Sequence, residues 1–294
     1  MFDSYIGIDW SGAKSPLKSN AIAMASCDNI IDSKPCFDSK KKSRSDVFAV
    51  LRDYANDKKR TLAGIDCNFG YCIDVGHKQF GKNAHFNTLW QTVDALNHGH
   101  DNFFAGEFWT HPEYGRAFWT QGKQPEWFDL HALRRQTEIK AHLQGLGTPE
   151  SPFKLIGAKQ VGKGGLAGMR MIAELKREFP KKVCVWPFDI DHFHSASLVI
   201  TEIYPRLFIR HAGFGNEKVR TEAQLNTILQ HFGVDCRQTY SSDASDSGIS
   251  DHLSDAIIAS AGLRWFCQNE RVLDINKLPE QALRFEGWIF GVKP

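Results

Sequence analysis

Four carboxylates stand where an apolar core would normally exclude them. Asp9 closes the apolar run Tyr5–Asp9, and Asp66 closes Thr61–Asp66. Glu202 interrupts Leu198–Tyr204, and Asp255 lies inside the apolar stretch Leu253–Phe266, four residues after Asp251 on the same helical face. A buried carboxylate is costly unless it is paired or binds a metal. In an open α/β sheet the C-terminal ends of the strands form the ligand crevice, so neighbouring strands would bring these charges together. Like charges at close range raise one another's pKa unless a hard cation neutralises them. The chemistry this points to is phosphodiester hydrolysis with two Mg²⁺ or Mn²⁺ ions about 3.5–4 Å apart. Asp9, Asp66, Asp251 and Asp255 are the candidate metal ligands, with Glu202 as a further catalytic carboxylate. His252 is a candidate for proton transfer or phosphate binding.

Each residue also has a local reading. Asp9 and Asp66 suit turns, Asp251 suits a helix N-terminus after Ser250, and Glu202 has Arg206 nearby in sequence as a partner. His252 suits an ordinary helix flank. It is the set taken together that favours the metal reading.

Other segments offer phosphate contacts. Gly157–Gly164 (GAKQVGKG) matches most of a phosphate-binding G-x-x-x-x-G-K-[ST] loop, but Gly164 stands where a Mg²⁺-binding hydroxyl is needed. A glycine-rich turn leading into a helix at Leu166, with Lys159 and Lys163 near a phosphate, is the better reading, beside that of a plain surface loop. The turn Ile8–Lys14, with Ser11 and Gly12, is similar to the phosphate turn of sugar kinases and actin-like ATPases. That reading needs a second phosphate loop over a hundred residues on. The next G-I-D ends at Asp66 and runs into Cys-Asn-Phe. The pairs His98-x-His100 and His192-x-His194 lack further ligands at zinc spacing.

The elements that must carry these residues follow from periodicity. Strands are expected at Tyr5–Asp9, Ala21–Ala25, Ile30–Ile31, Thr61–Ile65, Val183–Trp186 and Leu198–Tyr204, with a last edge strand at Trp288–Val292. Helices are expected from Ser45, as N-cap, to Ala55, and over Asp129–Leu143, Leu166–Glu178, Thr221–Phe232 and Leu253–Phe266. Ser241–Ser250 reads as a polar loop. Between about 77 and 150 the periodicity weakens and His and Trp concentrate, which suggests a lobe over the sheet edge or a substrate surface. Trp119, Lys123, Trp127, Arg134 and Arg135 there suit base stacking and phosphate contact, the signature of a non-catalytic nucleic-acid-binding protein as well; core packing is the local reading of the tryptophans.

The 294 residues carry 36 Lys+Arg against 34 Asp+Glu, so any polyanion site must be a local patch. No apolar run reaches the ~18 residues of a membrane span, and the first residues do not read as a secretion signal. Seven cysteines without a C-x-x-C pair fit a reducing cytoplasm.

The segments YIGIDWSGA (5–13), AGIDCNF (63–69), SPFKLIGAKQVG (151–162), TEIYPR (201–206), DHLSDAIIAS (251–260) and EGWIFGV (286–292) resemble an uncharacterised family of predicted ribonuclease-H-like nucleases. The H-x-x-D-A of the last helix is also similar to that of Holliday-junction resolvases. The resemblance spans nearly the whole chain and implies one elaborated α/β domain over 1–294, of ribonuclease-H-like fold. Its five-stranded mixed sheet would be flanked by helices, with an inserted lobe. It implies Asp9 on the first strand and Asp66 on the fourth as central metal ligands, Asp255 closing the site, and Asp251 or Glu202 completing it. Glu202 departs from the resolvase pattern. A nucleic acid or nucleotide phosphoester is the implied substrate. ATP binding or phosphotransfer of the actin and sugar-kinase kind is the alternative.

Overall fold

The computed structural model describes residues 1–19, 21–29, 35–37, 40–157, 160–215, 217–234 and 249–294. The expected strand Ile30–Ile31, Lys159 and nearly all of the polar loop 241–250 lie outside the described residues. The strands are β1 (Ser4–Asp9), β2 (Ala23–Asp28), β3 (Cys36–Phe37), β4 (Thr61–Ile65), β5 (Val183–Val185) and β6 (Leu198–Glu202). They form one mixed sheet in the order β3-β2-β1-β4-β6-β5. Among the described residues it has six strands, one more than the resemblance implies, with short β3 and β5 at its two edges. Only β2 and β3 introduce antiparallel pairings; β1, β4, β6 and β5 run parallel.

Ten helices flank the sheet among the described residues. The first is the short turn α1 (Pro16–Ser19), followed by α2 (Arg44–Asn56), α3 (Ile73–Phe80), α4 (Phe86–Leu96), α5 (Gly106–Thr110) and α6 (Gln136–Leu143). After them come α7 (Gly162–Glu178), α8 (Pro205–His211), α9 (Glu222–His231) and α10 (Asp251–Asn269). Helix α2 starts two residues earlier than expected, because Ser43 rather than Ser45 forms a capping box with Asp46. Helix α6 is shorter than expected. The Asp129 carboxylate takes the backbone N–H groups of His131 and Ala132 in a turn, and the helix begins only after Arg135. Trp288–Val292 is not a strand; it touches the end of β6 through one bridge, Ile289 beside Glu202.

Two buried clusters cover the two faces of the sheet. Ile6, Ile8, Ala63, Ile65 and Ile200 face one cluster, together with Leu166 and Ile172 of α7. Phe86, Trp90, Phe108, Phe118 and Phe128 of the weakly periodic lobe belong to the same cluster. The lobe is therefore core, built of helices too short to show a clear period. On the opposite face lie Tyr5, Leu62 and Val199 with Ala256, Ile257 and Leu263 of α10. Helix α10 lies unusually close to β1: a Cβ on Gly7 would stand 2.2 Å from the Ala256 carbonyl oxygen. Glycine there allows backbone to approach backbone. No helix among the described residues is long and apolar enough to cross a membrane. No disulfide joins the six described cysteines.

Candidate functional site

Parallel register brings the strand-end carboxylates to one edge of the sheet. Ile8 pairs with Ile65, and Ile65 with Glu202. Asp9 and Asp66, each one residue further on, are in step, and Asp66 N donates to Ile8 O at 2.9 Å. Side chains alternate between faces along a strand, so Asp9 and Asp66 point toward the α10 face and Glu202 toward the other. On the α10 face they meet Asp255, one turn into the helix. Ser250 caps that helix by accepting from Leu253 N at 3.2 Å.

Asp66 and Asp255, both half-buried, line a cavity of about 520 Å³ together with Asn68, Glu202, Tyr204 and Arg206. Neither the Asp66 nor the Asp255 carboxylate has a hydrogen-bonded or ion-paired partner among the described residues. Burial, then the charges of Asp9, Asp255 and Glu202, push Asp66 well above the carboxylate range. Burial and then Asp9 push Asp255 up to about 7, against a smaller opposing pull from Arg206. Asp9 is also raised, by burial, although the bonded His252 ring works the other way. His252 Nδ1 hydrogen-bonds Asp9 Oδ2, and that bond raises the imidazole pKa.

Asp251 does not join this group. It sits at the outer end of α10, bonded by Lys218 and by Arg220 Nε at 3.3 Å. Burial would raise it, but these two cations more than offset that and leave it below the usual range.

Glu202 departs furthest from its expected partner. It does not pair with Arg206, whose Nη1 donates to Glu217 O at 2.5 Å. On its own face of the sheet it meets Arg135, which donates from Nη1 at 2.8 Å and from Nη2, forming a fork on the carboxylate. Arg135 Nε reaches Glu138 at 2.7 Å, and Arg135 Nη1 also donates to Glu286 O at 2.8 Å. Arg135 is 1% exposed, so it is a buried counter-ion and not a surface contact for phosphate. Burial would discharge the guanidinium; Glu138 and Glu202 hold it charged. Two carboxylates share one cation, and burial leaves Glu138 raised to about 7. An Arg three residues before a Glu at a helix start was the available signal for this pair, but nothing local tied it to Glu202.

Ser11 and Lys163 do not line the cavity. Ser11 Oγ accepts from Ala13 N at 3.2 Å, and Arg44 Nη1 holds the Ser11 and Ala13 carbonyls. The start of α7 covers this turn: a Cβ on Gly12 would stand 2.2 Å from the Lys163 backbone. Helix α7 begins at Gly162, four residues before expected, and its glycines serve packing, since a Cβ on Gly165 would meet Asn68 Oδ1 at 2.1 Å. Lys163 holds its ammonium 5.7 Å from the Trp109 ring centre. Trp119 packs on Phe128, at 5.4 Å between ring centres.

The chemistry of the donor set suits a hard cation: carboxylate oxygens, two of them unpartnered, raised by burial and then by one another's charge, with no thiolate among them. Among the described residues no three His, Cys, Asp or Glu side chains form a ready-made metal cage. The chain matches no protein-family model, no curated protein and no solved structure.

Proposed function

We propose that this protein is a ribonuclease-H-like, divalent-metal-dependent phosphodiester hydrolase acting on a nucleic acid or nucleotide phosphoester. The observation that carries the reading is the pair Asp66 and Asp255. They are unpartnered carboxylates lining one cavity, near an Asp9 that His252 bonds. Uncompensated charge of this kind is expensive in a stable fold, and a Mg²⁺ or Mn²⁺ ion relieves it. Asp9, Asp66 and Asp255 would hold the ion, which supplies activation of water and stabilisation of charge on the phosphate oxygens. Their positions at the end of the first strand, after the fourth strand and on the last long helix are those the sequence resemblance implies. Arg206, on the same cavity, is placed to receive the phosphate. Glu202, neutralised by Arg135, would support the cavity wall rather than bind metal.

The test pairs activity with binding. Wild type and Asp66→Asn are given labelled single-stranded DNA, RNA, duplex and junction substrates with Mn²⁺, with chelator controls. Mn²⁺ affinity is measured by calorimetry. We expect Mn²⁺-dependent cutting that Asp66→Asn loses, together with weaker Mn²⁺ binding in the variant. Wild type that binds no divalent ion, or a variant that cuts as well as wild type, sinks the reading.

A further inference from the structure

We propose that the cavity accepts one nucleotide unit of a flexible strand, so that the substrate is a single-stranded oligonucleotide or a strand end and not the interior of a duplex. The inference rests on the phosphodiesterase reading and adds the form of the substrate.

The first support is the recess itself. Asp9 is only 7% exposed, and Asp66 and Asp255, both half-buried, line a recess of about 520 Å³. That volume lies within the ~300–1,000 Å³ of pockets that surround a small ligand. A duplex carries its phosphates on a stiff rod with a persistence length of about 150 bp. Bringing one of its nucleotides into a recess costs a few kcal/mol in unstacking and unpairing. A single strand reaches the same depth by rotating its backbone.

The second support is what else lines the space. Arg206 is anchored through Nη1 on the Glu217 carbonyl. Its Nε and Nη2 donate to no described residue, leaving a positioned fork of the kind that receives a phosphate. Lys218, bonded to Asp251, also lines the cavity. Tyr204, half-buried, lines it as well and offers a ring for one base to stack on. Phosphate fork and ring together match one nucleotide.

The test is fluorescence anisotropy with a fluorescein-labelled single-stranded hexanucleotide, without divalent ions. An unlabelled hexanucleotide competes against a dumbbell duplex closed at both ends. We expect the hexanucleotide to displace the probe at a concentration at least tenfold below that of the dumbbell. Arg206→Ala should weaken probe binding about tenfold, or about 1.4 kcal/mol, and Arg206→Lys should recover part of the loss; thermal melts check that both variants fold. Equal competition by the dumbbell, no binding of either, or an unchanged Arg206→Ala overturns the proposal. Mn²⁺-dependent cleavage of both substrates separates the two ideas. Equal cutting of the dumbbell interior removes the single-strand preference and leaves the hydrolase. Preferential binding of the single strand with no cutting keeps the cavity's ligand and removes the hydrolase.

Discussion

Asp9 differs from the other two carboxylates of the cluster in having a partner. The His252 ring comes from the first turn of α10, with its side chain 45% exposed, and bonds the buried Asp9 oxygen. The carboxylate is thereby held in one orientation, which is how partners of a metal ligand commonly act. We predict that His252→Ala weakens Mn²⁺ binding by about 10–100-fold, read by calorimetry, while the fold survives because the ring is half in water. Affinity equal to wild type would mean that Asp9 needs no orienting partner. Arg135 plays a different part: with Glu138, Glu202 and the Glu286 carbonyl on its donors, it ties α6, β6 and the C-terminal segment together.

At the scale of elements, the distance between β1 and α10 decides whether Asp255 can meet Asp9. Gly7 sets that distance, because any Cβ there would press into the Ala256 carbonyl and the Ser260 amide at 2.2 and 2.7 Å. We predict that Gly7→Ala costs about 1–3 kcal/mol in urea unfolding, the usual range for overpacking, and also weakens Mn²⁺ binding as the helix moves away. Gly99→Ala is the control, since an added Cβ there meets nothing within 4 Å. If Gly7→Ala unfolds at the same urea concentration as Gly99→Ala, the close packing of strand and helix does not govern the site.

Across the whole molecule, the buried carboxylates with raised pKa should appear in the pH dependence of stability. Asp255 and Glu138 are raised to about 7 in the fold, against roughly 4 in an unfolded chain. Between those values the folded state binds more protons, so their contribution to stability falls as pH rises through the window. His252, raised by Asp9, acts in the same direction. His85 and His211, lowered by burial, act in the opposite one. The comparison that isolates the cluster is wild type against Asp255→Asn with chelator present. We predict that the variant melts higher than wild type at pH 8 and loses that advantage by pH 5. Mn²⁺ should then raise the wild-type melting temperature at pH 8, following the mass-action dependence on ligand concentration. A variant no more stable than wild type at pH 8 would show that the cluster imposes no strain.

Strand ends and the apolar helix were legible in the sequence because periodicity and burial are local: a run such as Tyr5–Asp9 or Leu253–Phe266 declares both its element and the oddity of its carboxylate. Asp9, Asp66 and Asp255 could be chosen on that basis, with no knowledge of which strands are neighbours. The packing of the lobe was not legible, since helices of 5 to 11 residues are too short to display a period although their aromatics are buried. The separation of Glu202 from the other carboxylates was not legible at all. It follows from a one-residue difference in register, with Glu202 level with Ile65 and not with Asp66, and alternation along the strand then turns it to the opposite face. Its partner Arg135 lies 67 residues away in sequence, as does no local pattern. The sequence determined which charges had to be accounted for; only the tertiary structure decided which of them share a face, because register and the pairing of distant charges are properties of strands and helices already assembled.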